Sequence, residues 1–272
     1  MTNDEIRMTI RSSRPATPAC VQARVVKRKL LAPDVVSVWL RVPEIARVIQ
    51  PGQFVQVKAS SSDEPFLRRP FSVAQQRRDG IRVIFRVVGQ GTALLAAARP
   101  GDEWNILGPL GRPAPLVRNR NVIIIGGGIG IAPLLFLAER LCRQNRVHVL
   151  LGAQNRQELI LLPEFRRLGV KLSLATDDGS LGNEGFVTDT LQSVICGLRS
   201  AIAPVVFACG PRPMLRKARK LTQGLESYAF WEERMGCGTG ICYGCAVKRA
   251  DGQGYLRFCQ EGPVLKMSDI EI

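Results

Sequence analysis

Residues 121–134 read Asn-Val-Ile-Ile-Ile-Gly-Gly-Gly-Ile-Gly-Ile-Ala-Pro-Leu, and they set the fold of the second half of the chain. The apolar run at 122–125 is typical of a strand buried on both faces, and Pro133 suits the first turn of a helix after the glycines. The same alternation continues downstream, with strands at 147–151, 170–175 and 205–209 and helices at 134–143, 158–168 and 214–223. We therefore predict a doubly wound parallel α/β sheet over residues 116–230.

The glycine turn is also the first candidate binding site. Backbone amides at the start of a helix can bind a pyrophosphate, so Gly128 and Gly130 are expected to contact a dinucleotide. The turn departs from the G-x-G-x-x-G fingerprint because Ile131 occupies the last glycine position, and a plain tight turn remains an alternative. A second turn, Cys209-Gly210-Pro211, follows another strand and is predicted to lie at the same edge of the sheet.

The preceding region, residues 21–115, consists of short β-branched stretches in which apolar and polar side chains alternate. Clear examples lie at 35–42, 54–57 and 81–87, and turn residues such as Pro51-Gly52 separate them. About six strands at this spacing predict a small antiparallel β-barrel, with a short helix at 92–98. Residues 1–20 have no apolar core, so we expect a disordered arm rather than a signal peptide.

Two short motifs of the barrel region are candidates for binding a phosphate. The first is Arg69-Pro70-Phe71-Ser72, because an arginine side chain can pair with a phosphate through two hydrogen bonds. The second is Gly91-Thr92, where the backbone amides of a helix start could donate to a diphosphate. Taken separately, the two motifs could also be a surface charge and a turn.

The strongest motif is Cys237-Gly-Thr-Gly-Ile-Cys242-Tyr-Gly-Cys245, which thirteen residues separate from Cys259. This C-x4-C-x2-C…C spacing is that of plant-type [2Fe–2S] sites, in which three thiolates turn inward from one tight loop. The alternative is a structural zinc site, but zinc loops favour paired cysteines two to four residues apart. We therefore assign residues 231–272 to a cluster-binding segment.

The composition is that of a globular protein with a basic surface. Of the 272 residues 46% are hydrophobic and 22% charged, which excludes a disordered or fibrous chain. The net charge of +15 favours anionic partners such as nucleotides, although no basic tail supports nucleic-acid binding. We expect no membrane span and a cytosolic location, where disulfides are rare. His148 is the only histidine, so histidine-based metal sites and triads are excluded and no catalytic acid or base is predicted.

In combination these motifs are far more specific than any one of them. Their order along residues 21–235 resembles that of the ferredoxin–NADP reductase superfamily. More narrowly, the chain is similar to the electron-transfer subunits of NAD-dependent dihydroorotate dehydrogenases. This similarity rests on four segments, Arg69-Pro70-Phe71-Ser72, the glycine turn and helix start at 126–134, Thr176-Asp177-Asp178-Gly179-Ser180, and Glu232-Glu233-Arg234-Met235-Gly236-Cys237.

The resemblance implies three cofactors, namely FAD, a [2Fe–2S] cluster and NAD, with NADP left open by Arg156. The implied flavin-binding residues are Arg69, Pro70, Phe71, Ser72, Ile84, Phe85, Arg86, Gly91 and Thr92. The implied cluster ligands are Cys237, Cys242, Cys245 and Cys259. The implied nicotinamide dinucleotide contacts are Gly128, Gly130, Cys209, Gly210 and Pro211. One position departs from the superfamily, because Phe71 stands where many members have a tyrosine that stacks on the flavin.

The resemblance also implies a function and a partner. The chain would pass electrons between a catalytic, FMN-containing dehydrogenase subunit, which oxidises dihydroorotate in pyrimidine biosynthesis, and NAD⁺. The implied assembly is a heterotetramer of two plus two subunits, without nucleic acid or membrane.

Three other functions stay open from the sequence. The first is the small subunit of an NAD(P)H:ferredoxin or sulfide oxidoreductase, and the second is a free-standing reductase that serves an oxygenase. The third, of a different class, is a zinc-stapled basic module that binds nucleic acid. The last would show salt-sensitive DNA binding and no bound chromophore.

Overall fold

The computed structural model describes residues 17–60, 62, 64–197 and 202–271. Most of the predicted arm, residues 1–16, therefore lies outside the described residues. Its last two residues correct the prediction, because Ala19 and Cys20 already belong to the first strand. They pair there with Gly108 and Leu107 of another strand, and this pairing gives the backbone at 19 and 20 a fixed place.

Six strands form a closed, fully antiparallel barrel, which confirms the predicted first domain. Their order around the barrel is β1-β2-β5-β4-β3-β6, so the candidate flavin segment on β4 lies between β5 and β3. The elements are β1 (Ala19–Ala32), β2 (Val35–Arg41), α1 (Pro43–Ala46), β3 (Phe54–Val57), β4 (Arg69–Arg77), β5 (Gly80–Arg86), α2 (Gln90–Ala96) and β6 (Glu103–Leu110). The short helix α2 begins two residues before the predicted start at 92, because the hydroxyl of Thr92 accepts hydrogen bonds from the amides of Val88 and Gly89.

The second half forms the predicted doubly wound sheet. Its strands run in the order β10-β9-β8-β7-β11-β12-β15, and all pairs are parallel except the one that β15 makes. The elements are β7 (Asn121–Gly127), α3 (Ile131–Leu141), β8 (Arg146–Ala153), α4 (Leu162–Arg167), β9 (Lys171–Thr176), β10 (Asn183–Glu184), α5 (Val187–Gly197), β11 (Val205–Cys209), α6 (Arg212–Leu221) and β12 (Glu226–Phe230). The helix predicted at 158–168 is shorter, because a 3₁₀ turn at Arg156–Glu158 precedes it and Leu161 adopts a left-handed conformation at its start.

The C-terminal segment is built from three short strands and one helical turn, β13 (Ala246–Lys248), β14 (Tyr255–Arg257), α7 (Phe258–Glu261) and β15 (Val264–Lys266). It is joined to both larger domains. Strand β15 pairs antiparallel with β12 at the edge of the doubly wound sheet, and the amide of Arg112, just after the barrel, donates to the carbonyl of Gly262 at 2.6 Å. The segment that carries the cysteine loop at 236–245 is therefore held against both larger domains.

Side chains also join the barrel to the doubly wound domain. Phe136 on α3 is buried in the barrel core, and Arg82 on β5 pairs with Glu164 on α4 at 3.1 Å. Arg86 at the end of β5 pairs with Glu158 at 3.4 Å. In the described part of the chain, none of the helices is long and apolar enough to span a membrane.

Candidate functional site

The four predicted cluster ligands, three in the cysteine loop and Cys259 on α7, lie in two pairs. Each pair is linked by a backbone amide of one member that points at the sulfur of the other. The amide of Cys237 donates to Sγ of Cys242 at 3.5 Å, and the amide of Cys242 donates back to Sγ of Cys237 at 3.4 Å. The amide of Cys259 donates to Sγ of Cys245 at 3.4 Å. The structure therefore brings all four predicted ligands into one loop region.

Further backbone amides point at the same sulfurs. They are the amides of Thr239, Gly240 and Gly244, which donate to Cys237, Cys259 and Cys242 at 3.3, 3.1 and 3.4 Å. Gly238 and Gly240 both have positive φ angles, of 71° and 82°, which turn the loop tightly enough for this. Hydrogen bonds from amides favour the thiolate over the thiol, so the loop is suited to anionic sulfur.

The two sides of the cysteine loop differ in their exposure to solvent. Cys245 and Cys259 are buried, whereas Cys242 is exposed. Desolvation opposes ionisation of Cys237, but hydrogen bonds from Cys242 and Thr239 outweigh it and lower the pKa of Cys237 to about 6. Burial, together with the neighbouring Cys245, raises the pKa of Cys259. Cys237 and Cys242 therefore lie on the more accessible side of the site.

The paired arrangement fits a two-iron cluster better than a single ion. A structural zinc site would need four ligands around one centre, whereas a [2Fe–2S] cluster takes two thiolates on each of its irons.

On the barrel, the structure brings Arg69 and Gly91 together, as the sequence predicted for a phosphate site. A Cβ atom at Gly91 would collide with Nε of Arg69, because the guanidinium crosses the start of α2 directly over this glycine. Thr92 is buried and its hydroxyl caps the turn, accepting from the amides of Val88 and Gly89 at 2.9 and 3.1 Å. The cradle fits a diphosphate through Arg69 and the backbone, while Thr92 shapes it.

The other predicted flavin residues have different environments. Phe71 is buried, and its ring stacks on Phe85 with the centroids 4.7 Å apart. Ile84 is buried in the core shared with the doubly wound domain. Pro70 and Ser72 are half-buried on β4. Arg86 pairs with Asp34 and Glu158 instead of lying free for a ligand. That these residues contact FAD stays a prediction.

The carboxyl ends of β7, β8, β9 and β11 open into a cavity of about 570 Å³. All five predicted dinucleotide contacts line it, namely Gly128, Gly130, Cys209, Gly210 and Pro211. A Cβ atom at Gly130 would lie 2.6 Å from the carbonyl carbon and oxygen of Cys209, so the two strand-end turns meet there. A second cavity of about 530 Å³, beside His148 and Lys171, has neither turn. The first cavity is therefore the candidate dinucleotide site.

The sequence did not single out several residues of this cavity. One is Glu158, which lines it in a pair with Arg86, a residue that the resemblance implied as a flavin contact. Glu232 also lines it, and the surrounding protein desolvates its carboxyl group and raises its pKa, although part of the residue stays accessible in the open cavity. Burial and the nearby Glu232 raise the pKa of the Cys209 thiol well above its ordinary value. Glu232 follows β12 and begins a segment that carried the family resemblance, but nothing in its local sequence placed it at this cavity.

Three family models match the chain in succession. An oxidoreductase FAD-binding domain matches residues 22–114, and an oxidoreductase NAD-binding domain matches residues 124–220. The iron–sulfur cluster binding domain of dihydroorotate dehydrogenase B matches residues 232–271. The chain therefore carries sites for FAD, NAD and an iron–sulfur cluster, as the sequence predicted, and the zinc-stapled alternative is wrong.

A solved structure and several proteins resemble the chain over most of its length. The structure of an NADH-dependent reduced ferredoxin-NADP oxidoreductase superimposes with a TM-score of 0.83 at 29% identity, covering 93% of this chain and 91% of that one. The ferredoxin reductase in carbazole 1,9a-dioxygenase, at 21% identity and a TM-score of 0.63, covers 79% of this chain and 70% of that one and shares the fold.

Several similar proteins share a name. The electron transfer subunit of dihydroorotate dehydrogenase B (NAD(+)) from Geobacillus sp. (strain WCH70) is 36% identical, covering 92% of this chain and 97% of the relative. The subunit from Desulforamulus reducens is 37% identical, covering 89% and 94%. The chain thus belongs to the family of dihydroorotate dehydrogenase B electron transfer subunits.

Proposed function

We propose that this chain connects a dihydroorotate-oxidising partner subunit to NAD⁺. The relatives over nearly the whole length carry that activity in their names. In the overall reaction dihydroorotate loses two electrons and two protons to become orotate, and NAD⁺ takes up the electrons with one proton as NADH. The second proton is released to solvent. The cysteine loop beside the flavin-binding barrel is the observation that carries the proposal, because a simple hydride exchange would need no cluster.

The residues of this chain bind and orient, and none is required as an acid or base. Arg69 and the backbone at Gly91 hold the diphosphate of FAD, and the cavity turns at Gly130 and Cys209 orient the nicotinamide dinucleotide. Cys237, Cys242, Cys245 and Cys259 hold the cluster. When bound, FAD supplies hydride exchange with nicotinamide and one-electron exchange with the cluster. Positioning of the reacting groups is then the main contribution of the protein.

The partner contacts the chain at the exposed side of the cysteine loop in this proposal. Ile241, Tyr243 and Tyr255 are 81%, 59% and 67% exposed, which is unusual for large apolar side chains. Ile241 and Tyr243 flank Cys242, itself exposed, and Tyr255 lies on β14 of the same segment. A partner that covers them would bring its own redox group, the predicted FMN, close to the cluster. The heterotetramer of two plus two subunits and the cytosolic location remain predictions.

Co-purification with the partner tests this function. The untagged gene neighbour is expressed with the tagged chain, and the complex is examined for flavin absorbance, an iron–sulfur shoulder and about two irons per chain. We expect dihydroorotate to reduce NAD⁺ only when both subunits are present. A complex that holds zinc and no flavin would contradict the proposal. So would a partner subunit that reduces NAD⁺ with dihydroorotate in the absence of this chain.

The second candidate is the small subunit of an NAD(P)H:ferredoxin oxidoreductase. It is favoured by the superposition at a TM-score of 0.83 with the NADH-dependent reduced ferredoxin-NADP oxidoreductase structure. The partner distinguishes the two functions. Capture of a large flavin and iron–sulfur subunit, with ferredoxin reduction and no response to dihydroorotate, would favour this candidate.

A further inference from the structure

A buried glutamine lies between the barrel and the cysteine loop. Gln56 on β3 is fully buried, and its register partner on β4 is Pro70 of the candidate flavin segment. Its Nε2 donates to the carbonyl oxygen of Gly236 at 3.4 Å. Its Oε1 is buried and has no hydrogen-bond partner among the described residues. This side chain therefore reaches from the flavin side of the barrel to the cluster side of the molecule.

The cysteine loop rests directly on the amide group of Gln56. Gly238, next to Cys237, has a φ angle of 71°, and a Cβ atom there would lie 2.6 Å from Nε2 of Gln56. The same Cβ atom would lie 3.0 Å from Oε1. A side chain at 238 would thus collide with the amide of Gln56 unless one of the two moved, so the loop and this side chain are in direct contact.

A neighbouring glutamine shows what a purely structural amide looks like in this strand region. Gln53 is also buried, but both ends of its amide are paired. Its Oε1 accepts from the amide of Gln50 at 2.9 Å, and its Nε2 donates to the carbonyl of Gly111 at 2.9 Å. Burying an amide oxygen without a donor is costly. Gln56 bears that cost, whereas Gln53 does not, which points to a donor that a bound group supplies.

The chemistry of the two cofactors indicates which of them brings the donor. The sulfides and thiolates of an iron–sulfur cluster only accept hydrogen bonds, and Pro70 has no N–H group. Flavin offers a ring N–H and ribityl hydroxyl groups. Because directly opposed residues of an antiparallel pair project to the same side, the amide of Gln56 lies on the face of the sheet that Pro70 presents.

We propose that Gln56 is a positioning residue that links the two redox sites of this chain. Its Nε2 holds the cysteine loop through the carbonyl of Gly236, and its Oε1 accepts a hydrogen bond from the bound flavin. Gln56 is then one of the contacts that set the distance between cluster and flavin. This inference rests on the proposed function, in which both groups are bound to the same chain.

Replacing each glutamine with methionine, which has a similar length and no amide, separates the two roles. Gln56→Met and Gln53→Met are prepared as full-length chains with FAD and cluster. The FAD dissociation constant is measured by adding FAD to the deflavinated protein, and hydrogen exchange is followed over residues 236–244. For Gln56→Met we expect about tenfold weaker FAD binding and about tenfold faster exchange in the loop. For Gln53→Met we expect both values within about twofold of wild type.

Gly238→Ala tests the same contact from the loop side. It is the replacement variant if Gln56→Met does not fold. It should likewise speed exchange at 236–244 and weaken FAD binding, although residue 238 is outside the barrel. The inference would be overturned if Gln56→Met bound FAD within about twofold of the wild-type affinity. If Gln56→Met does not fold, the same result in Gly238→Ala would overturn it. So would equal effects of Gln56→Met and Gln53→Met. A wild-type chain that binds no flavin would contradict the proposed function instead.

Discussion

The cysteines differ in the hydrogen bonds that their sulfurs make. The thiol of Cys142 donates to the carbonyl of Glu139, and Cys20 both donates to Oδ1 of Asn105 and accepts from the guanidinium of Arg68. The sulfurs of Cys237, Cys242, Cys245 and Cys259 accept from backbone amides instead. These bonds from backbone amides mark the four predicted ligands more sharply than burial does, because Cys142 is half-buried while Cys242 is exposed.

Cys245→Ser is therefore expected to lower the iron content of the purified chain at least about tenfold, because a serine hydroxyl is a poor ligand for this cluster. The iron–sulfur shoulder in the visible spectrum should disappear, while the flavin bands remain. Iron per chain and absorbance measure the effect. Cys142→Ser is the control and should keep both. Equal iron in the two variants would show that Cys245 is not a ligand.

His148 makes the stability of the chain dependent on pH. Its Nε2 lies 2.9 Å from Oγ of Ser173. Desolvation, helped by the charge of Lys171, lowers its pKa from 6.5 to about 4. The folded state thus disfavours the charged imidazole, so the stability is fully present above pH 6.5 and is lost as the pH falls towards 4.

For a half-buried group this loss is about 1–2 kcal/mol, allowing for solvent screening. We expect His148→Gln to lose less stability than wild type between pH 7 and pH 4, since glutamine does not titrate. Urea unfolding at several pH values measures the difference between the two proteins. Parallel pH profiles would mean that His148 titrates in the folded state as it does in water.

At the level of single residues, the sequence revealed the functional residues whose role depends on their spacing from near neighbours in the chain. The cysteines were predicted because a tight cluster loop needs them a few residues apart, and Gly128 and Gly130 because a strand must end before a helix. Gln56 and Glu232 carry no such signal. Their roles arise because β3 lies under the cysteine loop and because the segment after β12 passes the cavity, and both are long-range consequences of folding.

Among the elements, the two strand-end turns act as a unit. Gly130 approaches the backbone of Cys209 so closely that a Cβ atom would lie 2.6 Å from its carbonyl oxygen. Gly130→Ala should therefore push the two turns apart and weaken NADH binding at least about tenfold, while FAD and iron stay bound.

The NADH dissociation constant, measured by fluorescence titration, checks this prediction. Gly197→Ala is the matched control, because Gly197 ends α5 and a Cβ atom there would meet none of the described residues within 4 Å. It should bind NADH as wild type does. If Gly130→Ala also kept the wild-type affinity, the turns would not be the dinucleotide site.

Element prediction succeeded where a pattern is local and failed where partners are distant in sequence. Strand β11 is found at the predicted residues, and the buried run of β7 lies within the observed strand. Helix α5 was missed because its β-branched residues favour a strand, and burial of Val187 and Leu191 overrides that preference. Strand β15 was missed because it has only three residues and forms by pairing with β12.

At the scale of the whole molecule, a buried ion pair fixes the barrel to the doubly wound domain. Arg82 is only 7% exposed, and besides Glu164 it donates to Ser37 and Gln75. Glu164→Ala would leave this guanidinium without its carboxylate, so we expect a loss of about 3 kcal/mol in the free energy of unfolding. Both domains should unfold together in that variant.

Urea unfolding measures this loss, with Asp79→Ala as the control. Asp79 pairs with Arg41 at 3.3 Å on the surface, where both side chains are more than half exposed. Its loss should change stability by less than about 1 kcal/mol. Equal losses in the two variants would mean that the pair between the domains contributes no more than a surface contact.

The proposed docking of the partner subunit concerns the whole assembly. Ile241 lies beside Cys242 and is 81% exposed, so its side chain adds little buried apolar surface to the fold. Ile241→Asp places a charge in the proposed interface, and burying an unpaired carboxylate there is strongly unfavourable. We expect the complex with the partner to weaken at least about tenfold, with unchanged flavin and iron content in the isolated chain.

Leu30→Asp, an equivalent change at a 51% exposed position on β1, should leave the complex intact. Size-exclusion chromatography of the two subunits distinguishes these results, and a complex of wild-type affinity in Ile241→Asp would place the partner on another face.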